Sequence, residues 1–256
     1  MIIVFSGTGN SLFVAKELRK HLGDEIVTLP TSEKLTVKDE RVIWVFPVYS
    51  WGVPPVVKRW ISKLQIAYGH KYRHFAVMTC GDDCGLADGM WRSALARRAW
   101  IGLSAYSVTM PNTYVLMKGF DVDPIDVAEA KVKAAVPRCA DIARRIKAQC
   151  EQFPFEAQYI ENDIVRGRFA WIKTKIIYPW FVRFAMSPEP FYATDDCISC
   201  AVCAKNCPLK NITMHEGKPA WGKDCALCLR CYHICPRHAV AYSTATIGKG
   251  QKGVRS

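Results

Sequence analysis

Eight of the chain's twelve cysteines fall within one short stretch, and their spacing repeats. Cys197, Cys200, Cys203 and Cys207 read C-x2-C-x2-C-x3-C and are followed by Pro208; Cys225, Cys228, Cys231 and Cys235, followed by Pro236, restate the pattern 28 residues later. The flanks repeat too, Pro208-Leu-Lys-Asn-Ile212 against Pro236-Arg-His-Ala-Val240, as an internal duplication of a small metal-binding hairpin would leave them. Three cysteines at two-residue intervals can wrap a loop around one cubane, each thiolate reaching a different iron, while the fourth completes the opposite cluster. The expected ligands of one [4Fe–4S] cluster are therefore Cys197, Cys200, Cys203 and Cys235, and of a second Cys225, Cys228, Cys231 and Cys207. Zinc sites use paired C-x2-C knuckles, without a third cysteine at the same interval or a trailing Cys-Pro. Disulfides would require an oxidising compartment.

A second chemical signal sits at the other end of the chain. An apolar run at residues 2–5 leads into Ser6, Gly7, Thr8, Gly9, Asn10 and Ser11, and a helical pattern starts at once. Glycines let a backbone approach an anion, and amides and hydroxyls at a helix N-terminus hydrogen-bond a phosphate. The lysine of an ATP- or GTP-binding loop is missing, and a dinucleotide fingerprint would need a third glycine where Leu12 stands. A monophosphate fits better. Pro47, Val48, Tyr49, Ser50, Trp51 and Gly52 form an aromatic, glycine-containing loop suited to embracing a flat ring, although Tyr49 and Trp51 would also suit an ordinary core. Thr79, Cys80, Gly81, Asp82, Asp83, Cys84 and Gly85 should line the same crevice. Cys80 and Cys84 read as small buried residues in preference to a reactive pair. Cys139 and Cys150 fall on a helical pattern and carry no expected chemistry.

The elements that must position these loops are legible as alternation. Short β-branched and aromatic runs at 2–5, 25–29, 42–48, 74–79 and 106–110 alternate with helical patterns at 11–22, 54–64, 86–100 and 124–150. Continuous apolar strands separated by helices describe a parallel sheet covered on both faces, so residues 1–150 predict a five-stranded, doubly wound α/β domain. Pro137 should kink or interrupt the last helix. Residues 151–190 read as an aromatic and basic connector packing between two domains, in preference to an interfacial amphipathic helix. Residues 191–242 hold the cysteine module, and 243–256 read as a flexible tail.

Half of the 256 residues are hydrophobic and 23% are charged, an ordinary globular composition that argues against disorder. No stretch approaches the apolar length of a membrane span, and Met1 leads straight into the first apolar run, so a cytoplasmic protein is expected. The net charge of +12 comes from lysines and arginines spread over every segment, which speaks against a nucleic-acid binder.

The loop Ser6–Ser11 resembles the phosphate loop of flavodoxins, which hold FMN, and the cysteine module resembles the bacterial two-cluster ferredoxins. With Pro47-x-Tyr49, Met110-Pro-Asn112-x-Tyr114 and Pro219-Ala-Trp221, the whole of residues 1–242 resembles the EFR1 family of ferrodoxins. That resemblance implies a flavodoxin-like sheet of order 2-1-3-4-5, followed by a small α+β ferredoxin domain, with FMN and two [4Fe–4S] clusters in one chain. In such a sheet the ligand crevice lies at the carboxyl ends of strands 1 and 3, flavodoxin being the standard instance of the rule.

The function expected from these readings is electron transfer between the clusters and FMN, linking one-electron carriers to a partner. A flavin-dependent reductase of a small molecule bound near Tyr114 and Cys80 is the alternative. Asp82 and Asp83 beside the ring would disfavour its reduced, anionic form. Cofactor charges would bring the protein to about +6. An acidic ferredoxin or a reductase is the expected redox partner.

Overall fold

Strands β1 (Ile2–Val4), β2 (Ile26–Thr28), β3 (Arg41–Pro47), β4 (Arg73–Cys80) and β5 (Gly102–Thr109) alternate with helices α1 (Asn10–Leu22), α2 (Pro55–Lys63), α3 (Ala87–Ala96) and α4 (Ile125–Gln152) in a computed structural model. The model describes residues 1–31, 34–38, 40–152 and 160–252. All neighbouring strands of the sheet pair in parallel, with Ile2 flanked by Ile26 and Ile43, Val42 opposite His74, and Cys80 opposite Thr109. The continuous apolar runs reflect burial on both faces. Ile3, Phe5, Trp44 and Phe46 pack with Val57 and Ile61 of α2 and Trp91 and Leu95 of α3. Ile2, Val4, Ile43 and Val45 pack on the other side with Val14 and Leu18 of α1 and Ile142 and Ile146 of α4.

One expectation is corrected here and a second is narrowed. The sheet has six strands in the order β2-β1-β3-β4-β5-β6, because β6 (Asn162–Asp163), inside the expected connector, adds to the edge beside β5. Two residues are too few to leave a hydrophobic period. Polar contacts hold them instead: Arg138 and Arg145 of α4 pair with Asp163, Arg145 also with Glu161, and the Glu161 and Val165 amides donate to Ser104 and Ser107. Pro137 does not interrupt α4. It lies on the exposed side, where water can take over the carbonyl it frees, while Ala135, Cys139 and Ile142 hold the buried side.

Within the connector, residues 170–185 form one helix, the arm helix, with π-type stretches at Lys173–Ile177 and Phe181–Ala185. Thr174, Tyr178 and Phe181 turn inward. Thr174 Oγ1 donates to the Trp51 carbonyl and accepts from the Leu86 amide, both at 2.8 Å, and Tyr178 donates to the Val53 carbonyl at 2.5 Å.

The cysteine segment is a small α+β unit. β7 (Phe191–Ala193) pairs antiparallel with β10 (Val240–Tyr242), β8 (Ile212–His215) with β9 (Lys218–Trp221), and two short helices span Val202–Lys205 and Arg230–Ile234. Residues 243–252, expected to be a flexible tail, bridge it and the loop after β5: Lys249 donates to the Val115 and Met117 carbonyls of that loop, and Gln251 to those of Tyr232 and Cys235. The last four residues of that expected tail, like 153–159 of the connector, lie outside the described residues. Among the described residues no helix is long and apolar enough to cross a membrane.

Candidate functional site

A cavity of about 390 Å³ opens at the carboxyl ends of β1, β3, β4 and β5. Its floor is the loop after β1. Gly9 adopts φ 94° as the residue before α1, a conformation natural to glycine, and so aims the first turn of the helix into the cavity. Among the described residues no acceptor is paired with the backbone amides of Thr8, Gly9, Asn10 and Ser11. The loop's side chains are braced: Ser6 Oγ accepts from the Leu12 amide, Asn10 donates to the Pro111 carbonyl, and Ser11 shares a 2.8 Å hydrogen bond with Thr79. The unpaired amides of Thr8, Asn10 and Ser11, which line the cavity at the positive end of a 13-residue helix with hydroxyls nearby, form a receptor for a phosphate-sized anion.

The cavity wall brings together most of the residues marked out from sequence: Ser6, Gly7, Thr8, Asn10, Ser11, Pro47, Val48, Tyr49, Ser50, Trp51, Thr79, Cys80, Gly81 and Asp82. Gly9, Gly52, Cys84 and Gly85 do not line it. Gly52 lies under the Tyr178 ring and Gly85 against Thr174 and Trp51, so both serve close packing of the arm helix. Cys84 is fully buried behind Cys80; its hydrogen bond to Cys80, then burial, holds the thiol protonated. Asp83 also lines the cavity, and its charge is compensated: Lys173 of the arm helix pairs with it at 2.7 Å and the Trp51 indole donates to it at 3.1 Å. Burial pushes its carboxyl up, but Lys173, the Gly85 amide and Trp51 together hold it below the usual range.

Three further segments complete the wall; Tyr114 of the first was expected near Cys80, and the other two segments were missed from sequence as parts of this site. The loop after β5 supplies Met110 to Tyr114 with Met117 and Phe120, the arm helix supplies Ile177, Trp180 and Phe181, and the cysteine module supplies Leu227, Cys228 and Leu229. Tyr114 sits edge-on to Phe120 and Phe181, at 5.6 and 6.2 Å between ring centres. The first of these segments follows from the rule that sites lie at strand carboxyl ends. The other two arrive by long-range packing.

Around the cysteines the sequence repeat becomes a backbone repeat. Ser199 and Ala201 hold φ of 57° each, and Leu227 and Leu229, 28 residues on, hold 46° and 61°; Lys210 and His238 match at 52° and 51°. Left-handed residues without glycine cost of order 1 kcal/mol or more each, so both loops are bent against preference in the same way. The Asn211 amide donates to Cys207 Sγ and the Ala239 amide to Cys235 Sγ, each at 3.3 Å, and the Leu227 amide to Cys225 Sγ at 3.4 Å. Donors directed at sulfur favour its charged, ligating form.

The eight cysteines fall in two spatial groups. Cys197, Cys200, Cys203 and Cys235 line one small cavity with Ile198, Met214 and Val240. Cys225, Cys228 and Cys231 lie close enough to one another and to Cys207 for mutual influence: burial first, then these neighbouring sulfurs, pushes up the thiols of Cys225, to about 11, of Cys228, to about 12, and of Cys231. The buried Trp221 indole N–H has no partner at normal hydrogen-bond length, yet it lies near enough to Cys231 to oppose that shift. No cysteine is in a disulfide, and among the described residues no three His, Cys, Asp or Glu side chains converge as a single metal ion would need. A cubane needs a different shape, with one thiolate at each of four separated corners. Two quartets, the amide donors to sulfur and the orphaned indole fit that group.

The two sites touch. A methyl group on Gly7 would fall 2.5 Å from the Cys228 carbonyl oxygen and 2.7 Å from its Cβ. Arg230 donates to the Gly7 carbonyl at 2.9 Å, and the His233 imidazole bonds the Thr113 carbonyl at 2.8 Å. Burial, then Cys228 and Cys225 beside it, keeps the Tyr49 phenol protonated. The inner quartet thus abuts the cavity wall, while in the outer quartet Cys200 is exposed.

No protein-family model and no curated protein matches the chain. Among solved structures, the chain is similar to the Trp repressor binding protein from Bacillus subtilis (13% identity over 53% of this chain and 96% of that one, TM-score 0.37). It is also similar to an azoreductase from Bacillus anthracis str. Sterne (10%, 56% and 98%, TM-score 0.38) and a putative flavoprotein from Bacteroides uniformis (12%, 43% and 90%, TM-score 0.35). Likenesses this distant carry no argument about the site.

Proposed function

We propose that the chain is a redox protein that holds FMN in the cavity and a [4Fe–4S] cluster on each cysteine quartet, and passes electrons between them. When bound, FMN exchanges one or two electrons and each cluster one, so the combination links one-electron carriers to a two-electron partner. The observation that carries this reading is the contact of Gly7 with Cys228, which puts the anion-binding loop and the inner quartet in van der Waals contact.

Each part of the chain has a task on this reading. The open amides of Thr8, Asn10 and Ser11 hold the phosphate. Tyr49 and Trp51 flank the ring, and Lys173 keeps Asp83 from opposing negative charge there. Cys207, Cys225, Cys228 and Cys231 hold the inner cluster. Cys197, Cys200, Cys203 and Cys235 hold the outer one, with Cys200 at the surface for exchange with an acidic ferredoxin or a reductase. Residues 1–150 form the FMN domain, 151–190 the connector and 191–242 the ferredoxin domain of an EFR1-type ferrodoxin in the cytoplasm. The second reading, a flavin-dependent reductase of a small molecule, draws on the apolar wall of Tyr114, Met117, Phe120 and Trp180, which could seat an organic acceptor.

Anaerobic purification followed by iron, sulfide and flavin analysis tests the proposal. About eight iron, eight sulfide and one FMN per chain are expected. Iron for fewer than two clusters, or no flavin, overturns it. Reoxidation of the dithionite-reduced protein by candidate acceptors then separates carrier from reductase.

A further inference from the structure

The arm helix is fixed on one side only. Its inner face is anchored by Thr174, Tyr178 and Phe181, while Phe169, Ile172, Ile176, Trp180 and Phe184 succeed one another every three or four residues along the outer face, and Trp171 stands beside them. This row is not slightly exposed: Phe169 and Phe184 at its two ends are 66% and 65% accessible. Isolated surface hydrophobics are ordinary, but a continuous aromatic and aliphatic row along a helix of roughly 24 Å marks an interaction surface.

Charge identifies the occupant. Residues 164–188 contain Arg166, Arg168, Lys173, Lys175 and Arg183 and no acidic residue. Arg166 and Lys173 turn inward to Asp88 and Asp83. Among the described residues Arg168, Lys175 and Arg183 make no salt bridge, and the guanidinium groups of Arg168 and Arg183 lie over the Phe169 and Phe184 rings. A second copy of the chain would set this basic, acid-free row against itself. Protruding Trp, Phe and Ile beside unpaired Lys and Arg instead match the boundary of an anionic bilayer, where rings and aliphatic groups enter the acyl region and cations meet phosphate.

We propose that the arm helix docks the protein on an anionic membrane surface, lying in the interface plane with Phe169, Ile172, Ile176, Trp180 and Phe184 in the lipid. The inner-face contacts mean that the helix is formed before it binds, so no folding entropy opposes docking. Ile177, Trp180 and Phe181 of this helix also line the cavity, so docking sets that side of the cavity against the lipid. The inference is independent of what the cavity holds.

Flotation of the full, anaerobically purified protein tests it, with vesicles of phosphatidylcholine alone and of phosphatidylcholine mixed with phosphatidylglycerol. The protein should float with the anionic vesicles, less so at high salt, and brominated acyl chains should quench its tryptophan fluorescence. The I176E/F184E variant, altered at exposed positions outside the cavity wall, should bind about tenfold less or weaker while melting at an unchanged temperature. The K175E/R183E variant should lose the preference for anionic lipid. The proposal is overturned if the wild type does not float with anionic vesicles, or if I176E/F184E floats equally well. It is equally overturned if sedimentation shows a dimer that I176E/F184E dissociates while neither form binds vesicles, which would make a second copy the occupant.

Discussion

The sheet domain and the cysteine module solve the problem of burial differently. The domain covers a six-stranded sheet with two apolar layers, in which Trp44, Trp91, Phe5, Phe46 and Phe75 are fully buried. The module's core is a small cluster around Phe191, Ile212, Tyr232 and Val240, completed by Val115 and Leu116 from the domain and including Cys203 and Cys231 themselves. Among the described residues the domain's loops hold four non-glycine residues at positive φ (Ser50, Trp51, Tyr68 and Ala99), whereas the module, about a third as long, bends seven that way, Ser199, Ala201, Leu227 and Leu229 among them. Apolar burial is sufficient for the first. The second has too little of it to offset both chain entropy and backbone strain, so what its cysteines bind should hold it together.

Removal of metal should therefore separate the two most sharply. After iron is stripped by chelation under oxidation, residues 191–242 should lose hydrogen-exchange protection and become protease-sensitive, an effect of order 10 kcal/mol if the module behaves like other small metal-folded units. The strands of residues 1–110 should keep theirs. Equal protection of the module with and without metal would break the comparison.

The next largest effect belongs to the domain. His74 is buried between Trp44 and Trp100; its Nδ1 accepts from the Trp44 indole at 3.0 Å, its Nε2–H donates to the Gly69 carbonyl at 2.9 Å, and burial lowers its pKa to about 4. Above pH 6.5 the ring is neutral in folded and unfolded chains alike. As the pH falls from 6.5 toward 4, only the unfolded chain takes the proton, so the domain loses stability over that window, by roughly 3 kcal/mol in full. Urea melts of wild type and His74→Gln followed by domain tryptophan fluorescence should show that slope in the first and lose it in the second.

A smaller effect lies at the joint between the regions. Gly7→Ala forces Cys228 away and should cost about 1–3 kcal/mol, read as a lower melting temperature with weaker flavin retention. Gly81→Ala, whose new methyl would meet Asn112 at an ordinary 3.5 Å, should be near neutral. The smallest effect is expected from Arg59→Ala, which removes the exposed Arg59–Asp224 pair across the joint, at roughly 0.5 kcal/mol. If Arg59→Ala proved the more damaging of the two joint variants, the tight Gly7 contact would not be what couples the regions.

What was legible in the sequence follows the same division. The cysteine spacing is a local code, readable without the fold; in the structure Cys197, Cys200, Cys203 and Cys235 share one small cavity, and Cys228 lies near Cys225 and Cys207. The loop Ser6–Ser11 was readable because a strand, two glycines and a helix start are contiguous. Leu227 to Leu229 and Ile177 to Phe181 were not readable as cavity wall, since no short-range pattern says which side of the sheet a later segment will cover. Met110 to Tyr114 stood out as a motif, Tyr114 was expected near Cys80 in the reductase reading, and the place of this segment at the end of β5 accounts for it by the strand-end rule. β6 escaped because a two-residue strand held by Arg138 and Arg145 carries no period, and whether Pro137 would interrupt its helix was not readable because its exposed placement depends on the rotation of the whole helix. The arm helix was expected to pack between domains. Its inner face hydrogen-bonds Trp51, Val53 and Leu86 of the sheet domain, and the outer row is left exposed.

The central claim is that the cavity and the inner quartet form one electron path through the Gly7–Cys228 contact. Stopped-flow mixing of the anaerobic protein with a one-electron donor tests it most directly, with cluster and flavin absorbance followed separately. The account predicts that flavin bleaching follows cluster reduction at a rate independent of protein concentration. Clusters that reduce while the flavin stays oxidised, or a flavin phase that grows with protein concentration, would contradict it.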